Sequence, residues 1–360
     1  MTARRQAVWW VALAVGMGLF VWLLRDMLLP FVAGMGIAYL ADPLADRLER
    51  MKLSRTQATT IITLSFLTIF LLALLLIIPL MIRQTNDLLA ALPDYMERAS
   101  QLLNLLATNI VSAAESRGVD MSTGEGKVAL KDYAREAVTF FGKLAGDLLR
   151  GGAALLNFFS LLVITPIVTF YLLLEWDRIV ETISSWLPKR HADDIRELAR
   201  RIDRTLAGFV RGQGTVCLIL IIYYATTLSL VGLNFGFVIG LLSGALSFIP
   251  FVGAIFGAIA SIGLAMVQFW PDQSLNIGIV VAIYVFGQIM EGYVLTPKLV
   301  GNSIGLHPVW VMFGVLAGGV LFGFVGMLLA LPVSAVVGVL ARYGLERYLA
   351  SRLFDPENPE

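Results

Sequence analysis

The run Thr59–Ile82, 24 residues without a charged side chain, constrains this chain more than any other feature. A helix that crosses the hydrocarbon core of a bilayer needs about 20 apolar residues. Val8–Leu24 is a second uncharged run. In lipid each backbone amide must find its partner within its own segment, so helices are the state open to such runs. The alternation expected of a membrane β-barrel is absent. The sequence therefore predicts an all-α polytopic membrane protein. Composition agrees, with 58% hydrophobic and 15% charged residues over 360, where a soluble domain has about half and about a quarter.

Spans are expected near 8–24, 27–41, 58–82, 153–174, 213–231 and 275–290. Two longer tracts, 235–270 and 307–341, bring the total to about eight membrane segments. The chain divides into N-terminal spans (1–82), an amphipathic extracytoplasmic segment (83–150), a fourth span (151–174), an amphipathic arm (175–212), a glycine-rich transport core (213–345) and a tail (346–360). Basic residues orient these pieces. Segment 175–212 carries eight Lys or Arg and 232–274 carries none. With Arg4 and Arg5 before the first span and Arg47, Arg50, Lys52 and Arg55 after the second, both termini are expected to be cytoplasmic. That assignment makes the first two spans a hairpin rather than one long helix.

Two segments outside the apolar runs have helical periodicity. Leu88, Leu89, Leu92, Leu102, Leu103, Leu106 and Ile110 mark one amphipathic helix, and Tyr133, Phe140, Phe141 and Leu144 a second. In the arm, Ile195, Leu198, Ile202, Leu206 and Phe209 form the apolar face, with Arg196, Arg200 and Arg204 on another.

Several chemistries are excluded. A net charge of +1 provides no basic surface for nucleic acid, and the single cysteine, Cys217, permits neither a disulfide within the chain nor a Cys-rich zinc site. His191 and His307 with scattered acids have no metal-ligand spacing. No Walker A run, G-x-S-x-G or H-E-x-x-H is present. Neither an enzyme nor an ATP-driven pump is expected, and no cofactor or metal.

The second half differs from the first. Of 33 glycines, 21 lie between Gly212 and Gly344. Gly232, Gly236, Gly240 and Gly244 recur on one helix face, the spacing that lets membrane helices approach closely. Both long tracts are broken mid-way, the first at Ser247-Phe248-Ile249-Pro250-Phe251-Val252-Gly253 and the second across Gly318, Gly319, Gly323 and Gly326, with Pro332 following. Broken backbone at membrane depth is tolerated where it is buried in protein or lines a wet cavity. Paired broken segments point to a transporter site. Each tract fits either a kinked span or a re-entrant hairpin, the two hairpins entering from opposite faces.

Between the tracts, Gln288 and Glu291 share one helix face at the end of the span 275–290. A carboxylate there is a functional candidate, against the plainer reading of an interfacial pair with Lys298. Gln213, Ser247, Pro250, Gly253, Gln288, Glu291, Gly319 and Gly323 are the expected substrate or ion pathway. Arg211, Pro297, Gly301, His307, Pro308, Gly326 and Pro332 are expected to be structural or gating residues, His307 most simply as a helix cap.

Taken in order, these pieces resemble the autoinducer-2 exporter (AI-2E) family of permeases. The matching residues are Pro30, Ala38-Tyr39-Leu40, Pro43-Leu44, Leu187-Pro188 and Phe209 with Arg211-Gly212-Gln213. They continue with Ile249-Pro250-Phe251-Val252-Gly253, Pro297-Lys298-Leu299-Val300-Gly301, Leu306-His307-Pro308 and Gly318 through Gly326 to Pro332. The resemblance covers about residues 10–345. It implies an inner-membrane protein of about eight spans that carries out secondary transport or export, plausibly as a homo-oligomer in the lipid bilayer. A small organic solute or signalling molecule is the first expected substrate. A sodium or lithium ion exchanged for a proton at Glu291 is the alternative, and a non-transporting membrane scaffold is the reading from another class.

Overall fold

The computed structural model describes Ala12, residues 16–18, 23–24, 27–115, 152–301 and 307–349, and Phe354. Among these residues the regular secondary structure is helical throughout. The first expected span falls almost wholly outside them, as do the hairpin expected between spans 1 and 2 and the segment containing Tyr133 and Phe140.

Three helices form the N-terminal bundle: α1 (Leu28–Arg50), α2 (Arg55–Glu115) and α3 (Gly152–Ser185). Small residues let α1 lie close to α3, with Ala38 and Ala41 buried against Leu173. The Thr165 hydroxyl donates to the Pro30 carbonyl and the Thr169 hydroxyl to that of Gly34, both at 3.2 Å. Arg55, at the start of α2, ties the three helices together. Its guanidinium donates to Asp42, Asp46 and Glu49 of α1 at 3.1–3.2 Å, and its Nε to the Leu173 carbonyl of α3 at 2.9 Å.

At 61 residues and 1.5 Å per residue, α2 is about 90 Å long, some three times the hydrocarbon thickness. The third span and the amphipathic helix expected after it are one continuous helix. The same holds for the arm and the fifth span, which form α4 (Ala192–Leu230). Helix α5 (Gly236–Leu246) and helix α6 (Val252–Phe269) follow. Then come α7 (Ser274–Ile289), extended without a break by the π-helical stretch Met290–Val300, and α8 (Pro308–Leu349). Among the described residues six helices are long and apolar enough to cross a membrane: α1, the first part of α2, α4, α6, α7 with its extension, and α8.

The first long tract is a hairpin and not a kinked span. Helix α5 has 11 residues, too few to cross. Its Ser243 and Ser247 lie against Gly257 and Gly253 of α6, an antiparallel register that closes at the turn around Pro250. At the open end, Gln268 of α6 donates to the Gly232 carbonyl and accepts from the Asn234 amide, both at 2.8 Å. Helix α5 also packs antiparallel on α4. A Cβ at Gly240 or Gly244 would overlap the backbone of Ala225 or Ile221, so the glycine stripe is what permits this contact. Gly232 stands apart from the stripe, in the turn before α5 at φ +79.

The second tract is also a hairpin. Gly318 and Gly326 are in backbone contact, whereas residues eight apart in a straight helix are about 12 Å apart. Gly323, at φ 61 and ψ −141, makes the reversal, a conformation open to glycine and costly for other residues. Gly314 lies against Ser334 and Gly319 against Met327, which extends the antiparallel register. The two hairpins enter from opposite ends of α4. The first has its base beside Leu228 and its tip beside Gln213, and the second leaves the molecule where Arg347 pairs with Asp194. They meet where Ile249, 1% exposed at the first tip, packs on Val315 and Ala330 of the second.

Candidate functional site

Helices α4, α5, α6 and α7 enclose a polar cluster inside an apolar core that includes Val216, Leu220, Leu228 and Val280. Tyr284 of α7 is its centre. The Tyr284 hydroxyl donates to Ser243 Oγ at 2.8 Å, and Ser243 in turn donates to the Ile239 carbonyl at 2.6 Å. The hydroxyl occupies the place a Cβ on Gly257 would need, so the glycine makes room for the hydrogen bond. The Tyr284 ring stacks on Tyr224 of α4 at 4.6 Å between centroids. Gly287, one turn along α7, leaves space for the Tyr224 hydroxyl in the same way.

Gln288 connects this pair to Glu291. Its amide nitrogen lies 3.2 Å from Glu291 Oε2 and 3.4 Å from the Tyr224 hydroxyl. Glu291 does not sit at the end of its helix. The π-helical extension carries the apolar segment on to Val300, and the span is Ser274–Val300. Gly287 of this span lies against Tyr224, and Leu299 and Val300 lie against Gly212. Glu291 therefore lies beside α4 between Gly212 and Tyr224, about two turns inside the end of the apolar segment at Val300. Among the described residues its partner is Gln288, and Lys298 is exposed with no ion pair to it. π-Helical turns widen the backbone and recur at functional sites.

Gln213, buried near the other end of the cluster, donates to the Ser247 carbonyl at 2.8 Å and so holds the first hairpin tip to α4. Ser247 donates to the Ser243 carbonyl at 3.0 Å. Of the expected pathway residues, Gln213, Ser247, Gln288 and Glu291 thus lie on α4, the first tip and α7 around the tyrosine pair. Pro250 and Gly253 shape the first tip, while Gly319 and Gly323 belong to the second hairpin, away from the tyrosines. Arg211 donates Nε to the Tyr39 carbonyl at 3.3 Å and anchors α4 to α1. Pro297 lies within the π-helical stretch, which Gly301 closes at φ 60. His307 Nδ1 accepts from the Val309 amide at 3.3 Å, and Pro308 begins α8. Gly326 packs on Gly318, and Pro332 lies inside α8.

Tyr224 and Tyr284 are not among the residues the sequence singles out. Their signal was the hydroxyl itself: a tyrosine within an apolar span brings a polar group that must find a partner. The arm carries a separate set of charges. Tyr39 donates to Asp203 at 2.8 Å, Arg201 pairs with Glu346 at 3.4 Å and Arg347 pairs with Asp194. Hydrogen bonds from Arg200 and Arg201 hold the exposed Glu197 carboxyl below the usual carboxylate range. No grouping of His, Cys, Asp or Glu suited to a metal occurs among the described residues.

The sequence profile of the AI-2E family transporters matches residues 11–345. YrrI of Bacillus subtilis (strain 168), which carries a transport-protein name, is 30% identical over 350 residues, 93% of this chain and 95% of its own. PerM of Escherichia coli (strain K12), named as a permease, is 24% identical over 91% of this chain and 90% of its own. The AI-2 transport protein TqsA of the same strain is 25% identical over 87% of this chain and 85% of its own.

Proposed function

This chain belongs to the AI-2E transporter family, and on that premise we propose that it is a secondary transporter exporting small organic solutes across the inner membrane, with the cluster of Ser243, Tyr284, Gln288 and Glu291 as its transport site. The observation that carries the reading is a carboxylate at membrane depth, Glu291, whose partner is a neutral amide. Such a group is costly in a bilayer unless it is hydrated, protonated or in contact with cargo. The inverted hairpins supply the second element a transporter needs, a pair of broken segments meeting near the site. Rocking of one hairpin against the other at the Ile249–Val315–Ala330 contact exposes the cluster to each side in turn. The basic arm and the C-terminal end of α8 face the cytoplasm by the positive-inside rule. The lipid-facing apolar belt accommodates a homo-oligomer.

A specific observation favours a second reading, a sodium or lithium/proton antiporter. Glu291 lies in the interior of its span, where a proton-linked carboxylate of an antiporter belongs. Proton flux on adding sodium to proteoliposomes, lost in Glu291→Gln, selects this reading over solute export.

Cysteine accessibility tests the shared claim of alternating access. In a Cys217→Ser background, Ser247→Cys is expected to react with a membrane-impermeant maleimide from one side under one proton gradient and from the other side under the reverse gradient. Protection under every gradient and with every solute tried sinks the site, and the absence of any flux leaves a scaffold.

A further inference from the structure

The polar cluster is backed by a groove that opens sideways. A cavity of about 350 Å³ lies between α6 and α7, lined by Ala258, Ile262, Val281, Tyr284, Val285, Gln288, Ile289 and Tyr293. Its mouth is formed by side chains on the outer surface of the helix pair: Val285 is 53% exposed, Ile289 51% and Tyr293 82%. Helix α6 also carries exposed Ile255 and Ile259, the character of a lipid-facing surface. A molecule entering here comes from the hydrocarbon and has an apolar body.

The inner wall decides what else the molecule must carry. It includes the Tyr284 ring and Gln288, and Gln288 touches Glu291 at 3.2 Å. Glutamine has three rotatable side-chain bonds, so a change of rotamer opens the groove to the carboxylate. Among the described residues no Lys or Arg pairs with Glu291. Behind the groove wall, beyond Gln288, thus lies a carboxylate with no cation on it, and the Tyr284 ring forms part of the wall itself. Both favour a positive charge, the ring through its quadrupole and the carboxylate through Coulomb attraction that is strong where water is excluded.

We infer that the groove is a lateral portal and binding subsite for lipophilic organic cations, which enter from the bilayer between α6 and α7 and exchange their charge partner for Glu291. The inference rests on the reading of the Glu291 cluster as a transport site and names the substrate class of that site.

Tetraphenylphosphonium serves as the probe. Equilibrium dialysis of the purified full-length chain in detergent, against protein-free micelles, is expected to show saturable binding. Ala258→Trp and Val281→Trp, which fill the groove from its two walls, are each expected to weaken binding by about tenfold or more, and Glu291→Gln by about tenfold, the equivalent of 1.4 kcal/mol. Two variants on different helices guard against one that fails to fold. Unchanged binding in both filled variants overturns the portal. So does a dimer or larger oligomer that dissociates on filling the groove, since a second copy then occupies it. Wild-type proton flux in proteoliposomes without saturable probe binding also overturns the portal and leaves the transport reading intact. Groove-dependent binding without any flux has the opposite meaning: it supports the subsite and removes the transport function.

Discussion

The hydroxyl of Tyr284 stands in the space that Gly257 leaves by lacking a side chain, and from there it donates to Ser243 at 2.8 Å. This one contact joins α7 to both arms of the first hairpin. It makes the glycine a part of the site and not only a packing residue.

Gly257→Ala tests that role. The added methyl displaces the Tyr284 hydroxyl and leaves Ser243 without its donor in a buried place. A stability loss of about 1–3 kcal/mol is expected for the lost hydrogen bond, read as a lower melting temperature in detergent. Tyr284→Phe is expected to impair transport similarly while keeping the ring stacked on Tyr224. A Gly257→Ala variant with unchanged melting and flux contradicts the assignment.

Glycines in the stripe differ sharply from Gly263. Gly240→Leu forces side-chain atoms into the Ala225 backbone, and the expected cost is about 1–3 kcal/mol or more. Gly263→Ala, on α6 with open space around it, is expected to be neutral or slightly stabilising through helix propensity. Thermal melts of the two variants give the order directly.

The second hairpin can be locked. In a Cys217→Ser background, Gly319→Cys with Met327→Cys is expected to form a disulfide under mild oxidation, since the two positions are in contact across the turn. A kinked but continuous helix holds positions eight apart at about 12 Å, beyond disulfide reach. Failure to cross-link, with both thiols reactive, excludes the hairpin.

Arg55 holds three carboxylates of one helix and a carbonyl of another. Arg55→Ala is expected to cost about 3 kcal/mol, because it leaves Asp42, Asp46 and Glu49 facing one another with no cation between them. Arg55→Lys recovers part of this, since an ammonium cannot reproduce the forked geometry. By contrast Arg347→Ala, removing an exposed pair with Asp194, is expected to leave the melting temperature nearly unchanged.

Much of this architecture is legible in the sequence, and the limits have physical causes. The Gly236, Gly240 and Gly244 stripe is visible because helical period is a local property. The breaks at Pro250 and at Gly318–Gly326 are visible because proline and glycine act on their own backbone. Whether a break bends a helix or reverses it depends on what the two arms pack against, and that is not local. The Tyr284–Ser243 bond joins residues 41 apart, and it exists only once α5, α6 and α7 have their register. In the sequence Glu291 stands at the edge of the apolar run 275–290, and a proline six residues on ordinarily interrupts an α-helix. The wider π-helical backbone accommodates that proline and carries the segment on to Val300. Arg55 counted only as a positive charge until α1 and α3 brought its acceptors together.

The central claim is that the buried cluster around Glu291 performs the transport, and proton movement in proteoliposomes measures it most directly. With an internal pH dye, wild-type proteoliposomes are expected to move protons when cargo is supplied, organic solute or sodium, Glu291→Gln to move none with either, and Asp272→Asn, an exposed carboxylate between α6 and α7, to match the wild type. Equal flux in Glu291→Gln and the wild type would contradict the account.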